Sequence, residues 1–203
     1  MNIKNITKKC IQKNKGVVFE LGRFKFTETG IDGLTVIDIE PFGDSRGYFM
    51  ETYNREDFVK AGLDMNFVQN NESKSTRGVL RGLHFQKKFP QGKLVRCVEG
   101  KVFDVAVDLR PGSKTFGKWY GVILSESNFR EFYIPEGFAH GFYVLTDVAK
   151  FEYQVTNLYH PEDEGSIFWN DPKIGIDWPI IEGTQPLLSD KDMKNPLLDE
   201  IEF

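Results

Sequence analysis

From about Phe24 onward the sequence is built of short apolar or alternating runs, each cut off by Gly, Pro, Asp or Asn. A chain written this way leaves no room for long amphipathic helices and favours strands of a few residues joined by tight turns. Strands are expected over residues 34–39, 79–86, 93–98, 102–109, 118–124, 130–134 and 150–156. The clearest is 102–109, where Phe103, Val105, Val107 and Leu109 share one face and Asp104 and Asp108 the other, the period of two expected of a half-buried strand. Turn signals at Glu99-Gly100, Arg110-Pro111-Gly112 and Pro135-Glu136-Gly137 recur at the spacing of antiparallel sandwiches and barrels. One helix is expected over 55–61, with Asn54 as N-cap, Glu56 and Asp57 in its first turn and Gly62 as its stop. That is too little helix for a sheet wound by crossover helices. No Gly-rich phosphate loop of the GxxxxGKS/T or GxGxxG kind is present either.

Composition narrows the function classes. With 203 residues, 40% of them hydrophobic, the chain buries roughly 70% of its unfolded surface and needs no covalent staples. A polar N-terminal extension, residues 1–23, is expected before a single domain over 24–203. Cys10 and Cys97 lie far apart and read as free thiols in a reducing, cytoplasmic setting. Lys and Arg number 26 against 30 Asp and Glu, and a net charge of −4 provides no electrostatic footprint for nucleic acid or an anionic membrane. No apolar run approaches the roughly 20 residues of a membrane helix. The opening MNIKNITKKCIQKNKG is basic but has no apolar stretch behind it, so it is not read as a secretory signal.

The three histidines sit in distinct settings. His160 follows a Tyr in a turn before Pro161, whereas His84 lies in Arg81-Gly82-Leu83-His84-Phe85-Gln86. Strand alternation there puts Gly82, His84 and Gln86 on one face and Arg81, Leu83 and Phe85 on the other. A histidine facing an apolar interior requires a polar partner. Gly78 followed by His84, and then Pro-x-Gly-x-x-His ending at His140, resemble the two half-motifs of the cupins, a jelly-roll or double-stranded β-helix family. The resemblance implies an all-β cupin-type jelly roll with a few short helices. Metal-binding cupins carry a second His two residues after the first and a carboxylate soon after it. Gln86 stands at that second position here and no Asp or Glu occurs between it and Lys93, so no metal is expected.

Longer blocks narrow the resemblance. Phe42-Gly43-Asp44-Ser45-Arg46-Gly47-Tyr48-Phe49-Met50-Glu51, the His84 block, Gln91-Gly92-Lys93-Leu94-Val95-Arg96, Pro135-Glu136-Gly137-Phe138-Ala139-His140-Gly141-Phe142 and Trp169-Asn170-Asp171 follow one another as in the dTDP-4-dehydrorhamnose 3,5-epimerases, which are metal-free cupins. This similarity implies a cofactor-independent isomerase that inverts carbons 3 and 5 of a dTDP-linked 4-keto-6-deoxy sugar. Both carbons flank the carbonyl at carbon 4, so each proton leaves only as charge spreads into that carbonyl. A base, an acid and a cation are required. By resemblance His84 is the base, an imidazole being the natural one near neutrality, and Asp192 fixes its ring, Asp190 being the local competitor. Tyr153 is the acid on the opposite face, a phenol with an ordinary pKa near 10, and Lys93 is the cation at the enolate oxygen.

The same resemblance places Arg81 and His140 at the substrate. Arg81 falls on the wrong face by simple alternation, so a twist or bulge is needed to bring it beside His84. Gln69, Asn71, Glu164 and Lys191 are implied as further substrate contacts and Tyr159 as the platform that stacks on thymine. Arg46 and Glu51 are implied to come from a neighbouring subunit, which makes the expected assembly a homodimer with a shared site. Epimerisation of carbon 3 alone, a GDP or CDP carrier, a cupin 3,4-ketoisomerase and a non-catalytic sugar-nucleotide binder remain as alternatives.

Overall fold

The computed structural model describes residues 16–202. Strands are numbered in chain order. A seven-stranded sheet runs β1 (Val18–Leu21), β2 (Phe24–Glu28), β3 (Thr35–Ile39), β11 (Arg130–Ile134), β8 (Lys93–Glu99), β13 (Val148–Val155) and β6 (Gln69–Thr76). Facing it, a five-stranded sheet runs β10 (Trp119–Ser125), β9 (Lys101–Asp108), β12 (Phe138–Val144), β7 (Leu80–Gln86) and β14 (Glu164–Ser166). A small hairpin, β4 (Phe42–Asp44) with β5 (Gly47–Phe49), stands apart from both. Neighbours in both sheets pair antiparallel, and strands distant in sequence lie side by side, as β3 does with β11 and β7 with β12. This is the all-β, cupin-type jelly roll that the resemblance implied.

The large sheet starts ahead of the boundary expected at Phe24. Val18 pairs with Thr27 and Leu21 with Phe24, so β1 belongs to the sheet rather than to an extension. The expected extension otherwise falls largely on residues 1–15, which with Cys10 lie outside the described residues. The helix forms over Arg55–Lys60, where the Asn54 side chain accepts from the amides of Glu56 and Asp57 at 3.0 and 3.4 Å. Gly62 follows with φ +83°, a left-handed turn that suits glycine. The helix lays its buried Phe58 edge-on against Phe24 and Phe26, closing the outer face of the large sheet.

The alternation on β9 holds, but both of its faces are buried where a half-buried strand is expected. Phe103, Val105, Val107 and Leu109 do not face the space between the sheets. They pack outward, under a cover that includes Ile167, Ile174, Ile176, Trp178 and Leu198 from the C-terminal segment. Val102 and Ala106 belong to the core between the sheets, with Phe132, Phe142 and Phe151. Asp104 and Asp108 share their side of the strand and are both fully buried. Asp108 is satisfied by Arg110, Ser113 and Thr115. Asp104 sits in the working interior of the molecule. Among the described residues no helix is long and apolar enough to cross a membrane.

Candidate active site

The two sheets enclose a cavity of about 460 Å³. The small sheet contributes Arg81 and His84 from β7 and His140 from β12, and the large sheet contributes Lys93 from β8 and Tyr153 from β13. The C-terminal segment closes one side with Leu187, Leu188, Lys191 and Asp192.

His84 and Asp192, 108 residues apart in sequence, meet with Nε2 at 2.6 Å from Oδ1. The carboxylate is positioned by its own turn: Ser189 donates its hydroxyl to Oδ2 at 2.8 Å and accepts from the Asp192 amide at 3.1 Å. Burial would raise the Asp192 pKa, but the His84 ring and the bonds from Ser189 and Asn195 hold it below the usual carboxylate value. An ionised Asp192 selects the imidazole tautomer protonated at Nε2 and leaves Nδ1 as the nitrogen able to take a proton. Asp190, the sequence competitor, is exposed.

Tyr153 reaches the cavity from the opposite sheet. Its ring is held edge-on by Phe151 at 5.0 Å and by His140 at 6.2 Å, and its hydroxyl lies 3.0 Å from that of Ser73. Burial pushes the phenol up to about 12, so it carries its proton throughout the neutral range. Lys93 is pulled the other way, down to about 8, because burial disfavours its charge more than Asp104 and Glu164 support it. His140 turns Nε2 to Asp104 Oδ2 at 2.8 Å. Burial lowers the His140 pKa and raises that of Asp104, each being pulled back by its partner. His84 and His140 are register partners on β7 and β12, yet each engages a different aspartate.

The bulge required for Arg81 is present. His140 pairs with His84 and Phe142 with Arg81, so two steps on β12 span three on β7, and Arg81 comes to the cavity side with His84. Between them Gly82 has φ +124°, and a Cβ there would lie 2.6 Å from the Gly141 Cα, which leaves no space for a side chain. Gln86 lies away from the cavity. Its amide donates to the carbonyls of Phe89 and Leu158 and accepts from the His160 amide, tying down the loop at the end of β7. His160 stacks on Phe89 with centroids 4.2 Å apart and bonds Glu162, a role in that loop rather than in the cavity.

At one edge of the cavity the remaining expected contacts form a single network. Tyr159 donates its hydroxyl to Glu164 at 3.0 Å, and Lys191 bonds the same carboxylate. Gln69 accepts from the Tyr159 amide at 3.1 Å and donates to Asn71 at 2.7 Å. The other Glu164 oxygen lies 4.0 Å from His84 Nδ1, linking this network to the base. Arg46 and Glu51 are not brought to the cavity by their own chain. Arg46 pairs with Asp44 on the exposed β4–β5 hairpin and Glu51 accepts from Asn54.

Comparison with known proteins is decisive here. Residues 28–200 match the family model described as dTDP-4-dehydrorhamnose 3,5-epimerase. The chain belongs to that family. It is 55% identical over 172 residues to the dTDP-4-dehydrorhamnose 3,5-epimerase of Methanothermobacter thermautotrophicus, covering 85% of this chain and 93% of that one. The crystal structure of the 3,5-epimerase RmlC from Legionella pneumophila in complex with dTDP-4-keto-L-rhamnose superposes with a TM-score of 0.85 at 50% identity, covering 88% of this chain and 95% of that one. A more distant relative, the 3'-monoepimerase ChmJ from Streptomyces bikiniensis in complex with dTDP-quinovose, gives a TM-score of 0.78 at 37% identity, covering 84% and 86% of the two chains.

Several residues that line this epimerase-family cavity or touch its lining were not singled out in the sequence. Asp104 stands out in the sequence only as one of two polar residues on one face of β9. Ser73, Ser75 and Ser189 touch Tyr153, Arg81 and Asp192 without any motif of their own. A signal did exist for two of them: Gln69, Asn71, Ser73 and Ser75 repeat with a period of two, the mark of one polar strand face.

Proposed function

We propose that this cavity epimerises carbons 3 and 5 of dTDP-4-dehydro-6-deoxy-D-glucose, giving dTDP-4-dehydro-L-rhamnose, with His84 as base and Tyr153 as acid. The observation that carries the reading is the placement of a carboxylate-paired imidazole and a protonated phenol on opposite sheets, with an ammonium group lining the same cavity. His84 Nδ1 takes the proton beside the carbonyl, and Asp192 stabilises the imidazolium that forms. The electron pair moves into the carbonyl at carbon 4. Lys93, still mostly protonated at neutral pH with its pKa near 8, offers its charge to that oxygen. Tyr153 delivers its proton to the other face of the carbon, which inverts it. Solvent then removes the proton from His84 and restores the one on Tyr153, and the cycle repeats at the second carbon. No cofactor enters this scheme.

The network of Gln69, Asn71, Tyr159, Glu164 and Lys191 supports the nucleotide end, with Tyr159 stacking on thymine. Arg81 and His140 support the sugar and the group next to it. Arg46 and Glu51 complete the site from a second copy of the chain, and the reading is therefore a homodimer. Exposure of Phe42, Tyr48 and Phe49 on the hairpin that carries Arg46 supports that assembly. Cys97 is free and buried, its thiol pushed up to about 12 by burial, and takes no part in this scheme.

Proton NMR in D₂O with dTDP-, GDP- and CDP-linked 4-keto-6-deoxy sugars tests the whole reading. Deuterium entering carbons 3 and 5 of the dTDP sugar, with inversion at both, is the expected result. Exchange at carbon 3 alone would make the protein a 3-epimerase, the activity named for ChmJ. A migrating carbonyl would make it a ketoisomerase, binding without exchange would leave a sugar-nucleotide binder, and preference for GDP or CDP would change the carrier.

A further inference from the structure

Among the described residues strand β6 is the outermost strand of the large sheet and pairs only with β13. Its residues alternate between the two sides of the sheet, and Gln69, Asn71, Ser73 and Ser75 share one of them. Gln69 and Asn71 belong to the network at the cavity edge described above. The two serines do not line the cavity, yet each touches a residue that does. Ser73 Oγ lies 3.0 Å from the Tyr153 hydroxyl, and Ser75 Oγ accepts from Arg81 Nε at 3.0 Å.

Register explains the first contact. Tyr153 pairs with Asn71 and Ser73 with Phe151, so the phenol leans diagonally along β6 to reach the serine. A serine hydroxyl both donates and accepts. Either hydroxyl can be the donor in this pair, and when the phenol turns its single proton toward the sugar the serine donates to the phenol oxygen and keeps donating to the phenolate left after transfer. The second contact is one-directional: Ser75, itself 6% exposed, fixes Arg81 through Nε, and among the described residues the terminal nitrogens of this cavity-lining guanidinium are left for an anion.

We propose that Ser73 and Ser75 are positioning residues with separate duties, Ser73 aiming and sustaining the Tyr153 acid for inversion and Ser75 aiming the Arg81 guanidinium at the anionic part of the substrate. This rests on the proposed epimerase function. No proton is gained or lost at Ser73 in the step. The phenolic O–H bond breaks, a C–H bond forms on the sugar, and the serine only redirects its own O–H.

The test compares Ser73→Ala, Ser73→Thr and Ser75→Ala in the dTDP-sugar assay, reading deuterium exchange, inversion, kcat and KM separately. Loss of a hydrogen bond to a group that becomes charged is expected to slow inversion in Ser73→Ala by roughly 10- to 100-fold, with exchange persisting and KM unchanged. Ser73→Thr keeps the hydroxyl on a side chain suited to a strand and restores inversion. Ser75→Ala raises KM several-fold and leaves the ratio of inversion to exchange as it was. The inference is overturned if Ser73→Ala inverts at the wild-type rate, if threonine fails to rescue it, or if both alanine variants lower kcat alike with KM unmoved, the sign of a merely loosened strand. A wild-type protein that exchanges no deuterium on any of the sugars would instead remove the proposed function, and this inference with it.

Discussion

The molecule contains two histidine–aspartate pairs made in the same way, through Nε2 at 2.6 Å in His84–Asp192 and at 2.8 Å in His140–Asp104. They differ in their access to water. The His84 side chain is 30% exposed and that of His140 only 5%, with Asp104 fully buried. A base that accepts a proton in every cycle must return it to solvent, so the half-open pair suits turnover. The closed pair is shut away from bulk water, and its carboxylate helps sustain the charge on Lys93. In the proposed scheme equal geometry thus serves proton transfer in one place and a fixed field in the other. The largest expected effect follows from the open pair: His84→Ala is expected to lower exchange at both carbons by about 10²- to 10⁴-fold. Its circular dichroism and melting temperature should stay close to the wild type. Normal epimerisation in that variant would place the base elsewhere.

The closed pair is expected to respond in the opposite sense, through stability and pH before rate. Removing one partner of a buried pair costs about 3–5 kcal/mol, so Asp104→Ala should melt well below the wild type in a thermal scan. Its effect on rate works through Lys93. In the wild type Lys93 is protonated below a pKa of about 8, and activity is expected to fall as pH rises through that value. Asp104 raises that pKa, so its removal lets Lys93 lose its proton at lower pH and moves the alkaline limb toward acid. A kcat profile with an unmoved limb would separate Asp104 from Lys93.

The same contrast explains what could be read from the sequence. His84, Lys93 and His140 lie in contiguous blocks whose order and residues were legible, Tyr153 lies in an expected strand and was named by resemblance, and all four line one cavity. Strands such as β11 and β8 were legible because their apolar runs end at clear turns. Asp104 was not, because alternation reads β9 as a half-buried strand. Both faces of that strand are covered, the outer by the C-terminal segment, a tertiary fact that alternation cannot express. β6 was missed for a related reason. Its eight residues, QNNESKST, carry no apolar side chain, since its inner row serves the site instead of the core. Arg46 and Glu51 were named by resemblance alone, and a single chain leaves them outside the cavity.

The smallest expected effect sharpens the comparison at the level of two neighbouring carboxylates. Asp192 is 3% exposed and bonded to His84, Ser189 and Asn195, whereas Asp190 is exposed. Replacing Asp192 by Asn keeps the shape but removes the charge that holds the imidazole tautomer and stabilises its cation, and kcat/KM should fall roughly 10²-fold. Asp190→Asn removes the same charge two residues away and should alter kcat/KM by no more than about twofold. The difference lies in the surroundings: around Asp190 water and salt screen a charge within about 8 Å, while at Asp192 the protein has replaced that water with a single fixed partner. Equal losses in the two variants would mean that net charge near the cavity, not the contact to His84, is what Asp192 contributes.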